Sequence, residues 1–432
     1  MKILVVGSGG RENALVWALK KTTTRPLEMF CAPGNAGIAE SAQCLPISAT
    51  DVAALAAFAE RERIDLTMVG PEAALAVGIV DEFQRRGLRI VGPRMKAAQL
   101  ETSKAFAKDF MRRHSIPTAN YRLASSTEEA VSIIRSGEFG TENSSVVIKA
   151  DGLAAGKGVV VAQTRTEAEQ AVHELSALGD AAKQIVIEEA LNGREVSVLL
   201  FSDGKDFRLM PPARDHKRIG DGDTGPNTGG MGAITEANIL DEATLNRIVN
   251  EIVEPTLQAA QDEGIPFRGI LFIGLMLTED GPRVLEYNVR FGDPETQAIL
   301  MRLETDLTTI LEAIVDERLA EVDVKWSKDA SACVVLAARG YPGKPEIGTQ
   351  IQGLERAARD EGLAIFHAAT SRDANGEWLT AGGRVLGVTA TGENLEAALA
   401  RCYGAVSKIQ WDGMQYRRDI GRTSIPVAAA SR

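Results

Sequence analysis

An acidic and an amide side chain stand at alternate positions near the end of an apolar run, Arg283–Val289, whose sequence is RVLEYNV. These side chains belong to Glu286 and Asn288. Alternate residues of a strand point to the same face with Cβ atoms roughly 6–7 Å apart, so both oxygens can reach one site. Carboxylate and amide oxygens suit a hard cation such as Mg²⁺, which keeps other positions for phosphate oxygens. The pattern predicts a magnesium site at this pair, and the alternative is a polar edge strand that binds nothing.

Charged residues continue directly beyond this strand. Arg290 carries a planar cation that suits anionic oxygens, and Asp293 and Glu295 follow it. A cation beside two candidate metal ligands indicates phosphate chemistry. The elements around this segment must decide between that hypothesis and the polar edge strand.

A glycine-rich loop that carries a lysine joins two β-branched runs, Val146–Lys149 and Val159–Val161. The loop Ala150–Gly158 reads ADGLAAGKG, and its backbone N–H groups and Lys157 can bind phosphate oxygens. It is not a Walker A loop, because it is one residue short, lacks the Ser or Thr for magnesium and joins two strands. The pattern predicts a hairpin lid over a nucleotide, and the alternative is a plain flexible hairpin.

Two further segments concentrate titratable residues. Glu188 and the acidic residue after it end the predicted strand Gln184–Ile187, which favours a hinge lining a purine pocket over a solvated turn. Asp215 and Lys217 belong to the segment DHKR. The run Asp221–Gly232 that follows is too rich in glycine for regular structure, and loops of that length are functional or disordered.

The first loop, Gly7–Glu12, begins like a dinucleotide-binding fingerprint. The pattern GxGxxG fails at its last position, where Glu12 stands, and the second strand does not end in an acidic residue. NAD binding is therefore disfavoured. A phosphate resting on the helix amino terminus near Gly10 and Arg11 is the better prediction.

The elements that must position these residues predict an α/β protein of three domains. Residues 1–102 alternate short apolar strands with helices, which is typical of a parallel sheet with ligand loops at the strands' carboxyl ends. Residues 103–325 contain the lid, at about 118–190, the helix Glu242–Glu263 and the strand Gly269–Met276, beside which Arg283–Val289 pairs. Residues 326–432 are strand-rich and form an α+β domain.

Composition bounds the class of protein. A chain of 432 residues with 44% hydrophobic and 25% charged residues indicates an ordinary globular protein of two to four domains. The net charge of -11 disfavours nucleic acid as a partner. The four cysteines have no CxxC spacing, so neither a disulfide framework nor a zinc site is indicated. No secretory signal and no apolar run of about 18 residues is visible, so we expect no membrane association and a cytoplasmic location.

Segments spread along nearly the whole chain carry a family resemblance. They are GSGGRE, PGNAGI, VGPE, the stretch Ser103–Pro117, IKADGLAAGKGV, DHKR with GPNTGGMGA, and NVRFGDPETQ. Together they resemble the ATP-grasp superfamily and, within it, the glycinamide ribonucleotide synthetases. One departure is Asn13, where that family has His, because an amide cannot titrate. A second is Ala369, where Gly is common.

The resemblance implies an ATP-grasp fold and the ligation of glycine to 5-phosphoribosylamine in purine synthesis. ATP would convert glycine to glycyl phosphate, and the products would be glycinamide ribonucleotide, ADP and phosphate. The alternatives are another ATP-grasp ligase, such as a purine-pathway carboxylase or formyltransferase, and a nucleotide-binding regulator without activity. The resemblance also implies a monomer whose partners are small-molecule substrates.

Roles for individual residues follow from the same resemblance. Residues for ATP are Lys104, Lys149, Gly152, Gly156, Lys157, Gly158, Glu188, Ala190, Leu191 and Glu195. The residues that would bind Mg²⁺ or Mn²⁺ are Glu286 and Asn288. The catalytic residues are Arg290, which would neutralise the transferring phosphoryl group, and Asp293, Lys217 and Asp215 at the glycine and ribosylamine site. The residues that would bind the sugar phosphate are Gly10, Arg11, Asn35 and Glu72.

Overall fold

The computed structural model describes residues 1–153, 158–360 and 362–422. Gly156 and Lys157 of the predicted lid loop lie outside the described residues. Within the part of the chain that is described, no helix is long and apolar enough to cross a membrane.

The amino-terminal part forms the parallel sheet that the sequence predicts. Its strands are β1 (Lys2–Gly7), β2 (Glu28–Pro33), β3 (Gln43–Cys44), β4 (Leu66–Val69) and β5 (Ile90–Val91), in the order β3-β2-β1-β4-β5. The helices are α1 (Gly10–Thr22), α2 (Val52–Glu62), α3 (Glu72–Ala76) and α4 (Ile79–Arg85), with a 3₁₀ turn at Ile38–Glu40. β1 is the central strand, and its apolar run is buried because helices pack on both faces of the sheet.

Two helices, α5 (Met95–Thr102) and α6 (Lys104–Arg113), lead from the amino-terminal part to the lid. The lid consists of β6 (Tyr121–Ala124), α7 (Thr127–Ser136), β7 (Val146–Ala150), β8 (Val159–Ala162), α8 (Arg165–Ser176), a 3₁₀ turn (Gly179–Ala182) and β9 (Ile185–Glu189), and its strands pair in the order β6-β9-β7-β8. The pairing of β7 with β8 confirms the predicted hairpin. The lid encloses an apolar cluster of its own, separate from the other apolar clusters.

The central part supplies the longest strands. In chain order its elements are β10 (Arg194–Asp203), β11 (Phe207–Leu209), β12 (Arg214–Asp215), β13 (Arg218–Gly220), β14 (Thr224–Asn227), β15 (Gly232–Thr235), α9 (Glu242–Ile248), α10 (Glu254–Asp262), β16 (Arg268–Thr278), β17 (Gly281–Asn288), α11 (Glu295–Met301) and α12 (Leu307–Val315), with a 3₁₀ turn at Leu319–Glu321. Four of these strands form an antiparallel sheet in the order β11-β10-β16-β17. The predicted pairing of β17 beside the preceding strand is confirmed, and β17 is an edge strand.

One expectation about this part was wrong. The run Asp221–Gly232 is not wholly irregular, because β13 and β14 pair as an antiparallel hairpin across a tight turn in which Gly222 adopts φ +67°. Glycine supplies that left-handed conformation without steric cost, so a glycine-rich run can build a hairpin. The helix expected over Glu242–Glu263 is present as α9 and α10, which a π-helical turn at Val249–Val253 joins.

The carboxy-terminal part completes an antiparallel sheet whose strands come from two parts of the chain. Its elements are β18 (Ala330–Ala337), α13 (Leu354–Ala357), β19 (Leu363–His367), β20 (Thr370–Arg372), β21 (Trp378–Thr380), β22 (Arg384–Gly392) and α14 (Leu395–Val406). The sheet order is β12-β15-β18-β22-β19, so two strands from before residue 325 pair with three from after it. The largest apolar cluster also runs from β1 to Ile420. The amino-terminal, central and carboxy-terminal parts therefore share apolar cores, whereas the lid has its own.

Candidate active site

A cleft of about 540 Å³ lies between the amino-terminal loops, α6, the lid, β17 and the carboxy-terminal sheet. It brings together most of the predicted site residues. Those lining it are Arg11, Glu72, Lys104, Lys149, Gly158, Glu188, Asp215, Lys217, Glu286, Asn288, Arg290 and Asp293. Segments far apart in the chain thus converge on one polar space.

Other predicted residues lie beside the cleft without lining it. Ala190 and Leu191 follow β9, and Glu195 in β10 reaches the cleft through its ion pair with Lys217 at 2.8 Å. The carbonyl of Gly152 accepts a hydrogen bond from Lys104 Nζ at 3.1 Å, so this part of the lid loop contacts a cleft lysine.

The predicted metal ligands sit at the end of β17. A β-bulge places Glu286 opposite Gly274 in β16, where a Cβ would lie 3.3 Å from Glu286 Cγ. Glycine at that position leaves room for the carboxylate. Burial raises the pKa of Glu286, but the cations of Lys217 and Lys149 outweigh it and the pKa is lowered. Asn288 Oδ1 accepts a hydrogen bond from Arg290 Nη2 at 2.9 Å.

This donor set fits a metal that is completed by substrate oxygens. Among residues 1–153, 158–360 and 362–422, no group of three or more Asp, Glu, His or Cys side chains is placed to hold a metal ion. One ionised carboxylate and one amide oxygen supply too few ligands for a closed site. They suit Mg²⁺, which retains waters and phosphate oxygens.

Lysines from α6 and β7 face the metal pair across the cleft. Lys104 and Lys108 line the cleft four residues apart on α6, the spacing that places two side chains on one helix face. Lys149 Nζ donates to the carbonyl of Leu285, the extra residue of the β17 bulge, at 3.1 Å. Burial lowers the pKa of Lys104, and the charge of Lys149 adds to that shift, although Glu286 opposes it. Clustered, partly desolvated ammonium groups bind polyphosphate well.

Glu188 holds two of these lysines together. Its carboxylate lies 3.0 Å from Lys108 Nζ and 2.8 Å from Lys149 Nζ, and the residue is 1% exposed. Burial lowers the pKa of Lys108 to about 8, although Glu188 opposes that shift. Glu188 Oε1 has no aligned hydrogen bond to any described residue, because Lys149 approaches it as an ion pair only.

Arg290 is held by acids from two helices. Its guanidinium contacts Glu101 of α5 at 2.8 Å and Glu72 of α3 at 3.2 Å. Glu101 also accepts the backbone N–H of Val289 at 2.7 Å. Burial lowers the pKa of Arg290, but these two carboxylates outweigh it and the pKa is raised. The cation is therefore fixed beside Asn288, facing the cleft.

Asp293 joins groups from three parts of the chain. It accepts from the backbone N–H of Arg11 at 3.4 Å and from Gln297 Nε2 at 2.8 Å, and it pairs with Arg384 of β22 at 3.4 Å. Burial raises the pKa of Asp293, but Arg384 and Arg11 outweigh it and the pKa is lowered. Gly10 permits this approach, because a Cβ there would lie 2.7 Å from Gln297 Nε2.

A second acidic group lies near Lys217. Asp215 Oδ2 is 4.0 Å from Lys217 Nζ, and burial raises the pKa of Asp215. Burial lowers the pKa of Lys217, but Asp215 and Glu195 outweigh it and the pKa is raised. Burial and the nearby Asp215 raise the pKa of Glu295 to about 7. This corner of the cleft can hold a proton near neutral pH.

The amino-terminal loops are shaped by two polar side chains. Glu12 accepts from Gly9 N at 2.5 Å and fills the space under Gly70, where a Cβ would lie 1.9 Å from Glu12 Oε1. This buried glutamate explains the missing third glycine of the dinucleotide fingerprint. Asn35 donates to the carbonyls of Ser8, His367 and Ala368 at 2.7–3.1 Å, so its amide joins the first loop to the carboxy-terminal part.

Three charged residues of the cleft were not named from the sequence, Lys108, Glu101 and Arg384. Lys108 had a signal, because it lies four residues after Lys104 on the same predicted helix. Glu101 and Arg384 had none, since their partners Arg290 and Asp293 are distant in the chain.

The cleft combines a cluster of cations with the two predicted metal ligands, Glu286 and Asn288. This arrangement suits phosphoryl transfer, which depends on positioning and charge neutralisation.

Solved structures share this architecture. A phosphoribosylamine–glycine ligase from Thermotoga maritima aligns with a TM-score of 0.78 and 33% identity, over 97% of this chain and 100% of the other. A biotin carboxylase from Campylobacter jejuni aligns with a TM-score of 0.71 over 96% of this chain and 92% of the other, and at 15% identity it shows the fold alone. The fold and the cleft define an ATP-grasp protein.

Family models cover most of the chain. The N, ATP-grasp (A) and C domains of phosphoribosylglycinamide synthetase match residues 1–101, 102–296 and 331–423. The chain belongs to the phosphoribosylglycinamide synthetase family. Curated relatives include the phosphoribosylamine–glycine ligases of Xanthomonas axonopodis pv. citri, 48% identical over 98% of both chains, and Brucella melitensis, 46% identical over 100% of both.

Proposed function

We propose that the chain ligates glycine to 5-phosphoribosylamine at the expense of ATP, giving glycinamide ribonucleotide, ADP and phosphate. The observation that carries this proposal is the convergence of Lys104, Lys149 and the Glu286–Asn288 pair with Asp293 and Arg11 in one cleft. Full-length relatives named as phosphoribosylamine–glycine ligases support it.

The chemistry follows from the weakness of a carboxylate as an electrophile. ATP phosphorylates the glycine carboxylate, ADP leaves, and glycyl phosphate forms. The amine of the ribosylamine then attacks the carbonyl carbon, phosphate leaves with the C–O bond electrons, and the amine loses a proton. Lys104, Lys149 and Arg290 neutralise the transferring charge. Glu295, with a pKa raised to about 7 by burial and by Asp215, is a suitable proton acceptor in the cleft.

Glu286 and Asn288 would hold the metal ion, which we propose to be Mg²⁺ or Mn²⁺. When bound, such an ion neutralises charge on phosphate oxygens and orients them. Glu188 and the chain after it, Ala190 and Leu191, would line the adenine, and Glu195 would bind the ribose hydroxyls. Lys217, Asp215 and Asp293 would contact glycine and the ribosylamine.

The amino-terminal loops would hold the sugar phosphate. Gly10, Arg11 and Glu72 belong to loops at the carboxyl ends of parallel strands, where ligands of such sheets collect. Asn35 would act there too, and its amide is engaged with neighbouring carbonyls. We further propose residues 1–102, 103–325 and 326–432 as domains of a cytoplasmic monomer whose partners are its small-molecule substrates.

The experiment compares ADP release with glycine, bicarbonate or formate as the carboxylate substrate, each with ribosylamine, ATP and Mg²⁺. We expect turnover that requires glycine and produces glycinamide ribonucleotide. Turnover with bicarbonate or formate but not with glycine would establish the carboxylase or formyltransferase alternative. ATP binding with no turnover on any of them would favour a regulator.

A variant pair tests the metal site in the same assay. We expect Glu286→Gln to lower kcat/KM by at least about 100-fold, the scale of losing one group that stabilises transition-state charge, with unchanged thermal unfolding. The control is Glu279→Gln, an exposed acid in the turn before β17. Equal activity of the two variants would contradict the metal role.

A further inference from the structure

The last described segment of the chain carries a buried arginine. Arg417 is 1% exposed, and its guanidinium donates to both carboxylate oxygens of Asp419 at 2.8 and 2.7 Å. Its third nitrogen donates to Asp223 at 2.6 Å and to the carbonyl of Arg218 at 3.2 Å. Asp223 and Arg218 belong to the β13–β14 hairpin, so this arginine ties the carboxy-terminal segment to that hairpin.

Backbone groups extend the same connection. Asp419 accepts the N–H of Gly222 at 2.8 Å, and Asp221 accepts the N–H of Arg418 at 2.7 Å. Tyr403 of α14 fixes the segment from behind, because its hydroxyl donates to the carbonyl of Arg417 at 3.0 Å. We call Arg417, Asp419 and Tyr403, with their hairpin contacts, the C-terminal clamp.

The hairpin held by the clamp begins at Arg218, directly after the segment that contributes Asp215 and Lys217 to the cleft. Side chains alternate along an extended strand, so Asp215 and Lys217 point one way and His216 the other. Asp215 and Lys217 line the cleft, whereas His216 Nε2 accepts the N–H of Gly421 at 3.1 Å. Thr228, after the hairpin, donates to the carbonyl of Lys217 at 2.7 Å and also lines the cleft.

A buried guanidinium is expensive to desolvate, and a buried ion pair is weak evidence for stability. Its clearest use is to fix one arrangement of the chain. Here it fixes a glycine-rich hairpin that has few apolar side chains of its own to hold its position.

We propose that Arg417, Asp419 and Tyr403 are positioning residues that set Lys217 and Asp215 for the glycine and ribosylamine half of the reaction. This role rests on the proposed function. Three of the residues proposed for ATP, Lys104, Lys149 and Glu188, lie on α6 and the lid strands, away from the clamp's contacts. The clamp therefore acts mainly on the half of the cleft that holds Asp215 and Lys217, and it reaches the proposed ribose residue, Glu195, through the ion pair of Glu195 with Lys217.

The test is Asp419→Asn with Asp412→Asn as its matched control. Asp412 is in the same carboxy-terminal part, but its side chain is 80% exposed and pairs at 2.9 Å with Arg339, which lies outside the hairpin. In the complete enzyme we expect Asp419→Asn to lower kcat/KM for glycine about tenfold while KM for ATP stays within about twofold. The control should leave both unchanged.

Tyr403→Phe is the second variant, because it removes one hydroxyl and keeps the ring. It should show the same split between glycine and ATP with a smaller change. Hydrogen exchange in the ligand-free protein gives a readout that needs no turnover: the amide of Gly222 should exchange faster in Asp419→Asn than in Asp412→Asn.

The outcomes are distinct. Equal losses for glycine and ATP, tracking the folded fraction, would overturn the positioning role and leave a structural one. Unchanged kinetics or unchanged exchange at Gly222 would overturn the clamp itself. A wild-type protein without glycine-dependent turnover would overturn the proposed function, while the exchange comparison would still decide whether the clamp holds the hairpin.

Discussion

Glu188 shows that a buried acid in the cleft is paired with buried cations. The residue is 1% exposed, and its carboxylate lies 3.0 Å from Lys108 Nζ and 2.8 Å from Lys149 Nζ. Removing one partner of such a group leaves an uncompensated buried charge, which costs several kcal/mol. Paired charges thus hold this wall of the cleft together.

Single residues also set the pH dependence of stability, and His367 is the clearest case. Its ring stacks on Trp378 at 4.3 Å and its Nδ1 contacts Thr370 at 2.9 Å. Burial, followed by the charge of Arg372, lowers the pKa of His367 from 6.5 to about 4. Below pH 6.5 the unfolded chain takes up a proton that the folded chain does not, so stability is full above that pH and falls towards pH 4.

We expect His367→Asn to remove about 2 kcal/mol of the stability loss that the wild-type chain shows between pH 7 and pH 5. Urea unfolding followed by tryptophan fluorescence measures it. Thr370→Val is the control, because it removes a hydrogen-bond partner but keeps the ring that titrates. An undiminished pH dependence in the His367 variant would contradict the assignment.

At the scale of elements, the β-bulge in β17 connects the two halves of the site. It leaves Leu285 as the extra residue, with its carbonyl bound to Lys149 of the lid strand β7. The same bulge keeps Glu286 opposite Gly274. One irregularity therefore orients both a predicted metal ligand and a lysine proposed to bind phosphate.

Glu12 also fixes the packing at the carboxyl ends of β1 and β4, because it occupies the space that a side chain at Gly70 would need. We expect Gly70→Ala to lower the free energy of unfolding by about 1–3 kcal/mol, since its Cβ would collide with Glu12. Urea denaturation tests this. Gly404→Ala in α14 is the control, because a Cβ there meets nothing within 4 Å and should be neutral or stabilising. Equal stability of the two variants would contradict this packing.

Regular elements were largely predictable because their signals are local. Apolar runs ended by glycine gave the parallel strands, and the two β-branched runs around the lid loop gave the β7–β8 hairpin. The β13–β14 hairpin was missed because its residues are mostly Gly, Thr and Asp, without alternating apolar residues. Its position depends on Arg417, which lies 194 residues from Asp223.

At the scale of the whole molecule, polar side chains join the amino-terminal part of the chain to the carboxy-terminal part. Asn13 Oδ1 accepts the N–H of His367 at 2.7 Å across 354 residues, and Asn35 donates to the same segment. The sequence marked Asn13 as a departure from the family pattern, but it held no signal for this contact. Motif spacing locates chemistry along a strand or loop, whereas contacts between distant segments depend on how the whole chain packs.

Arg384 is the whole-molecule contact nearest to the chemistry. It reaches from β22 into the cleft, donates to the carbonyls of Gly229 and Asp293 at 2.6 Å each, and pairs with the Asp293 carboxylate at 3.4 Å. A guanidinium can serve these acceptors together because its donors form a rigid fork, whereas the single ammonium of lysine cannot reproduce that geometry.

We expect Arg384→Lys to lower kcat/KM for ligation by about 10- to 100-fold, because Asp293 would lose its fixed place beside Arg11. KM for ATP should stay within about twofold, since the ATP-facing lysines lie on α6 and β7. Steady-state kinetics with each substrate varied in turn measures both. The control is Arg339→Lys, which changes an arginine whose side chain is 49% exposed and pairs with Asp412. If the Arg384 variant matched this control, the carboxy-terminal part would contribute packing to the cleft without positioning Asp293.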